Sequence, residues 1–195
     1  YNGIVAGDDF AGTYSGAFNN ANVGTNKTVT IIPTYSGVDV SNYSVTDHAT
    51  ITANIIVKTL SATASAANKV YDATNSATTT LILSGLIGTE TLNSSNTSTF
   101  NNKNVGTGKS VTVNSITLTD GTGLAANYSI SPGQTSTANV TAKALTAIAS
   151  TANKVYDSTT LANTTLSLSG LIGSETLNVT SNSTFDNKNI GSGKT

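Results

Sequence analysis

The chain has 195 residues, with nine lysines and no arginine against ten acidic residues, one histidine, and no cysteine, methionine or tryptophan. A net charge of −1 with thinly spread lysines excludes a polyanion-binding surface, and with it nucleic acid as a partner. No disulfide framework or thiolate metal site is possible, and no run approaches the roughly 18 apolar residues of a membrane-spanning helix.

The front of the chain carries F-N-N-A-N-V-G-T-N-K-T-V-T from Phe18 and N-Y-S-V-T from Asn42. At Lys58 a new run begins, K-T-L-S-A-T-A-S-A-A-N-K-V-Y-D. Leu81 and Leu83 then alternate with polar residues up to Ser84-Gly85, and L-I-G follows as an apolar pair beside a turn. F-N-N-K-N-V-G-T-G-K-S-V-T starts at Phe100. Beyond it Val111 and Val113 hold one phase, Ile116 and Leu118 the other. A phase flip at Asn114-Ser115 predicts a β-bulge or tight corner inside a strand. After N-Y-S-I-S from Asn127, Ala138, Val140 and Ala142 keep one phase, and Leu145, Ala147 and Ala149 the opposite one. That switch, at T-A-K-A-L-T, predicts a stiff strand-to-strand connection rather than a floppy linker. No segment carries a capped helical stripe, and glycine turns separate the strands as in β-sandwiches. Thr-, Ser- and Asn-rich composition at 37% hydrophobic residues can mean disorder, but this alternation predicts folded β structure.

Self-similarity organises the whole chain. K-T-L-S-A-T-A-S-A-A-N-K-V-Y-D from Lys58 returns as K-A-L-T-A-I-A-S-T-A-N-K-V-Y-D from Lys143, L-S-G-L-I-G-T-E-T-L-N from Leu83 returns from Leu168 with one change, and S-T-F-N-N-K-N-V-G-T-G-K-S from Ser98 returns from Ser183, all 85 residues on. The front landmarks form a third, more diverged copy. Its offset moves from 82 to 85 between Phe18 and Asn42, so it is three residues shorter after Lys27, a difference expected in a turn. The expected division is residues 1–57 as the C-terminal part of a first repeat, 58–142 as a complete repeat, and 143–195 as the N-terminal part of a third. Both ends fall inside a repeat, so the chain is expected to be an excerpt from a longer array. Tyr1 does not open a signal peptide, and any export signal is expected outside this stretch. The fold class is all-β, as small β-sandwich-like domains of about 85 residues arranged as beads on a string.

Candidate sites are few. V-G-T-G-K-S at Val105–Ser110 looks like a phosphate-binding loop, but the first glycine of that pattern is Lys103, and the alternation after Lys109 announces a strand where a helix is required. The single His48 has Gly133 as its counterpart, so it does nothing common to the repeats. Asp8-Asp9 lacks the run of carboxylates that Ca2+ wants, and its counterpart is Glu90-Thr91. No cofactor is expected, with structural Ca2+ between beads left open. Glu90 and Glu175, like Asp72 and Asp157, recur singly. Without a cysteine, an arginine or a repeated histidine to activate a serine or threonine, no enzyme activity is expected. Lys58 and Lys143 with Asn139 or Asn127 are candidates for lysine–asparagine isopeptide bonds. Sequons such as those at Asn26, Asn42, Asn127 and Asn139 follow from composition.

The ordered landmarks N-K-V-Y-D, L-S-G-L-I-G, F-x-N-K-N-V/I-G-x-G-K and A-N-Y-S-I resemble the YDG domain, found in tandem in bacterial surface proteins of the filamentous-haemagglutinin type. The resemblance covers essentially the whole chain. The glycine that gives the family its name is Ala73 and Ser158 here, at a position that serves a turn. Carried over by position, the signature residues are Tyr71, Asp72, Tyr156 and Asp157; Phe18, Phe100 and Phe185; Gly24, Gly106 and Gly191; and Asn42, Tyr43, Asn127 and Tyr128. They read as core and turn residues, the tyrosines packing their rings while the hydroxyl finds a backbone partner. The resemblance implies a secreted, extracellular segment of a bacterial surface adhesin or filament, acting as stalk or spacer and in cell adhesion, with no catalytic residues. A bead spanning on the order of 35–40 Å would add length with each copy. Partners are then neighbouring repeats, other copies in a filament, or a host, surface or glycan ligand. Two alternatives stand beside it, a glycan- or surface-binding β module and a fibre subunit that polymerises by β-strand addition.

Overall fold

The computed structural model describes residues 2–47 and 49–195. It is 49% strand and 3% helix, so the all-β expectation holds. In chain order the strands of the first repeat are β1 (Ala11–Phe18), β2 (Gly24–Ser36) and β3 (Thr50–Ile55). The middle repeat contributes β4 (Lys58–Thr59), β5 (Ser61–Ala66), β6 (Lys69–Val70), β7 (Ser76–Ala77), β8 (Thr79–Ser84), β9 (Leu92–Phe100), β10 (Gly106–Asp120), β11 (Tyr128–Ser129) and β12 (Thr135–Thr141). The third adds β13 (Thr146–Thr151), β14 (Leu161–Ala162), β15 (Thr164–Ser169) and β16 (Ser183–Thr184). Two 3-10 turns, Val40–Asn42 and Ala125–Asn127, are the only helical elements among the described residues.

The chain forms two compact units, residues Tyr1–Thr63, Leu81–Asn96 and Ser115–Pro132 in one, Ala64–Thr80, Thr97–Asn114 and Gly133–Thr195 in the other. In the first unit β1, β2 and β3 make an antiparallel sheet, with Phe18 opposite Val29 and Val29 opposite Ile51. β11 pairs in parallel with β4, Tyr128 opposite Lys58. Val29, Leu60 and Tyr128 are its buried apolar residues.

The second unit holds the larger core. β12 lies between β10, antiparallel, and β6, parallel, with Val140 opposite both Gly106 and Lys69. Phe100, Val111, Ala138 and Val140 form one buried cluster, against which Ala66, Tyr71 and Ala77 pack. Val113 is as buried as Val111. The one polar side chain buried here, Ser98, pairs its hydroxyl with that of Thr79 at 2.7 Å, and Ser183 with Thr164 repeats the pair. β13 with β15 and β14 with β16 are antiparallel pairs of the third repeat.

The phase flip is present. Within β10, Val111 and Val113 are buried and Ile116 and Leu118 half-buried, and the two units divide the strand between Asn114 and Ser115. Two expectations need correction. The three-residue shortening of the first copy is not confined to a turn, because β2 has 13 residues and its counterpart β10 has 15. The missing pair falls where β10 flips, and β2 keeps a single phase from Val29 through Tyr35. The alternation foreseen for Leu145, Ala147 and Ala149 becomes burial only in part, for Leu145 is half-buried but β13 is exposed along its length. In the middle repeat β9, β10 and β12 build the cluster that half-buries Ala66, and the positions corresponding to β12 and to most of β10 lie beyond Thr195.

Candidate functional site

Polar side chains concentrate in three places that recur from copy to copy. The first is the loop after N-K-V-Y-D. Asp72 accepts hydrogen bonds from the Thr74 amide and hydroxyl, both at 2.9 Å, which closes a tight turn over residue 73. That turn puts Ala73 at φ 65° and its counterpart Ser158 at φ 64°, the left-handed region that favours glycine. Lys69 then clamps the loop, its Nζ reaching Asp72 Oδ1 at 2.7 Å, the Thr74 carbonyl at 2.9 Å and the Ser76 carbonyl at 3.0 Å. Beneath it the Phe100 ring centroid lies 5.7 Å from the ammonium, within cation–π range. Lys154, Asp157, Thr159 and Phe185 repeat the arrangement. The Lys69 ammonium and the Thr74 N–H hold the Asp72 carboxyl down to about 2, and Lys154 and Thr159 do the same for Asp157.

The second place is the hairpin loop that resembled a phosphate site. Asn20, Asn102 and Asn187 each accept the backbone N–H two residues on, at 3.0 Å in every copy. The same side-chain oxygens take the ammonium groups of Lys27, Lys109 and Lys194, so these lysines fold back across their own loops. Gly24 and Gly106 make room for them, since a Cβ there would lie 3.1 and 3.2 Å from the lysine Cδ. Two residues further along, Asn26, Gly108 and Gly193 all have positive φ, and β2 and β10 carry a bulge at this point. Asn54 and Asn139 complete the loop by accepting the N–H of Asn26 and Gly108, each at 2.8 Å. A strand follows Lys109, as expected, and the lysine is engaged inward. Asn139 is thereby occupied, while Lys58 and Lys143, its isopeptide candidates, stand exposed.

The third place is a tyrosine corner. The 3-10 turn before Tyr43 and Tyr128 aims each phenol at the acidic end of a tight turn, Val5–Asp8 or Ile87–Glu90. Tyr43 donates to Asp8 at 2.6 Å and accepts the Val5 N–H at 2.8 Å. Tyr128 donates to Glu90 and accepts the Ile87 N–H at 3.2 Å. The carboxylate beside each hydroxyl pushes both phenols up from their ordinary value. The sequence reading foresaw a backbone partner and missed the acid. The signal was there, for Asp8, Glu90 and Glu175 occupy one aligned position in a chain with ten acidic residues.

Of the other signature residues, Phe100 is buried, Phe185 half-buried and Phe18 39% exposed, while Gly191 leaves its lysine more room than Gly24 or Gly106. Tyr156 is 55% exposed, unlike its half-buried counterpart Tyr71. Asn42 and Asn127 end the two 3-10 turns. His48 lies outside the described residues. Asp9 accepts the Val38 N–H at 3.3 Å, and among the described residues no three His, Cys, Asp or Glu side chains gather to hold a metal. A hollow of about 490 Å³ is lined by Asn153, Lys154, Phe185 and Gly191–Lys194. In the middle repeat the corresponding space, between Asn68-Lys69 and Gly106–Lys109, is filled by β12.

The YDG domain model matches residues 1–53, 56–138 and 141–195. The chain belongs to the YDG domain family. No curated protein and no solved structure matches it. Within these YDG repeats the recurring polar side chains fall into three sets of contacts. Asp72, Lys69 and Phe100 form one set, Tyr128 and Glu90 another, and the lysine-bound asparagine loop a third.

Proposed function

We propose that this chain is a structural segment of a secreted bacterial surface adhesin or extracellular filament, in which YDG repeats act as stalk or spacer. One observation carries the reading. Most of the polar side chains that recur from repeat to repeat clamp loops and corners within a repeat or reach a neighbouring repeat, rather than converging on an open cleft. Lys69, Lys109 and Lys154 point their ammonium groups at neighbouring oxygens, and Tyr128 and Tyr43 donate hydrogen bonds to acids of the same repeat. Repetition without a repeated exposed site suits a part whose contribution is length and position. The sparse charge and the Thr-, Ser- and Asn-rich exterior suit a solvated extracellular surface.

The test has two arms. Antibodies raised against the chain should label intact cells of its source at the surface, and label confined to the cytoplasm would overturn the reading. The isolated chain should stay silent on glycan arrays and host-cell surfaces, whereas saturable binding abolished by substituting an exposed tyrosine such as Tyr14 would favour a binding module instead.

A further inference from the structure

The two boundaries between repeats are built alike. At the boundary between the first and middle repeats, the Val23 N–H donates to Asn127 Oδ1 at 2.9 Å, and Asn127 Nδ2 donates to Asn22 Oδ1 at 3.1 Å. At the boundary between the middle and third repeats, the Tyr71 hydroxyl donates to Glu175, and Lys103 Nζ lies 3.7 Å from the same carboxylate. Lys103 also stands 6.0 Å from the centre of the Tyr71 ring.

The residues on each side correspond. Asn22-Val23 and Lys103 belong to the same N-x-N-V loop in successive copies, Lys103 aligning with Ala21. On the other side, Asn127 adjoins Tyr128, which grips Glu90, and Glu90 is the counterpart of Glu175. Two boundaries, with different residues in contact, therefore both set the N-x-N-V loop region of one repeat against the following repeat. The compact units give independent support, for each of them encloses one boundary rather than one repeat.

We infer that YDG repeats carry complementary docking surfaces, the N-x-N-V loop with the signature tyrosine on one repeat and the acid–tyrosine corner on the next, whose partner is a following repeat of the same family. The contact needs donors on the leading side and a carboxylate or amide oxygen on the trailing side. Glu175 supplies that oxygen at one boundary and Asn127 at the other. Lys103 adds a charge where the first copy has alanine, so the boundary after the middle repeat has an ionic contact that its predecessor lacks. The inference rests on the tandem-repeat reading and not on where the protein resides.

The chain has no cysteine, so spin labels can be placed one at a time on the full 195-residue protein. Labels at Thr137→Cys and Asn178→Cys, both exposed, report the separation of the middle and third repeats by pulsed electron resonance. The docked boundary gives a single narrow distance distribution. Tyr71→Phe and Glu175→Gln each broaden it about two-fold, toward the relative motion expected of simply linked domains. The double variant broadens it no further, because both changes remove one contact. Lys103→Ala, at an exposed position, broadens it as well and guards against a variant that merely misfolds. A broad distribution in the unaltered chain, or a narrow one untouched by all three changes, overturns the inference. Failure here would leave the spacer reading standing, and glycan binding would overturn that reading while leaving the docking contact intact.

Discussion

Replacing Ala73 by glycine is expected to stabilise the protein, although it removes atoms. Ala73 sits at φ 65°, where an L-residue pays about 1–2 kcal/mol that glycine does not. Against this stand the greater freedom of glycine in the unfolded chain, about 0.4–1 kcal/mol, and the loss of a half-buried methyl, about 0.3 kcal/mol. With central values the balance is a gain of about 0.5 kcal/mol, or a melting temperature about 2–4 °C higher for a domain of this size. Ser158→Gly, at φ 64°, should behave likewise. Gly108→Ala is the mirror experiment. Its φ is +57° and a Cβ there would meet nothing within 4 Å, so the substitution isolates backbone strain and should lower stability by about 0.5–1 kcal/mol. Asn26→Gly should gain less than Ala73→Gly, because asparagine tolerates this region better than alanine. The assay is thermal and urea denaturation followed by circular dichroism, with amide exchange at Asp72–Ser76 to localise the effect. A loss of stability in Ala73→Gly together with an unaffected Gly108→Ala would refute the account of both turns.

Three further outcomes follow from the packing and the charges. Phe100→Ala should cost about 3–5 kcal/mol in urea denaturation, since the ring is 2% exposed at the centre of the main cluster; Phe18→Ala, at 39% exposure, should cost far less. Because Asp72 is held below its usual 3.8, to about 2, its contribution is complete above about pH 4 and is lost as pH falls through the folded value; carboxyl titration by NMR should show this, and Lys69→Ala should return Asp72 toward the ordinary range. Tyr43, Tyr71 and Tyr128 have folded values raised by Asp8, Glu175 and Glu90, so they stabilise the protein below their unfolded value near 10 and cease to as pH rises through the folded ones; phenolate absorbance should show them ionising late, and Glu90→Gln should restore Tyr128 alone.

Alternation and self-similarity made the strands and the repeat legible. Val111 and Val113 against Ile116 and Leu118 revealed the flip in β10, because burial in a strand follows a period of two and a change of phase has to appear in the residues themselves. The lysine after the glycine turn could be excluded as a phosphate ligand because a strand pattern followed it. Other features left weaker traces. The 3-10 turns ending at Asn42 and Asn127 are a single turn each, too short for any apolar period. The grip of Tyr128 on Glu90 joins residues 38 apart, so only the recurrence of an acid at the same aligned position could have indicated it. The contacts of Tyr71 with Glu175 and of Val23 with Asn127 span 104 positions and join one repeat to another, which no pattern inside a single copy encodes.

Small domains with thin cores are commonly stapled by disulfides or by a metal ion. This chain has no cysteine, and the Lys69 ammonium, with oxygen atoms of Asp72, Thr74 and Ser76 around it, occupies the place such a staple would take. Lys154 repeats that role, and Lys27, Lys109 and Lys194 play a similar one over their asparagine loops. A reagent that cancels the positive charge of lysine, such as an acetylating or carbamylating agent, would therefore act on this fold much as a chelator acts on a zinc-stapled one. Exposed Lys58 and Lys143 would take up the reagent first and harmlessly, and the loops would open only once the clamping amines were reached.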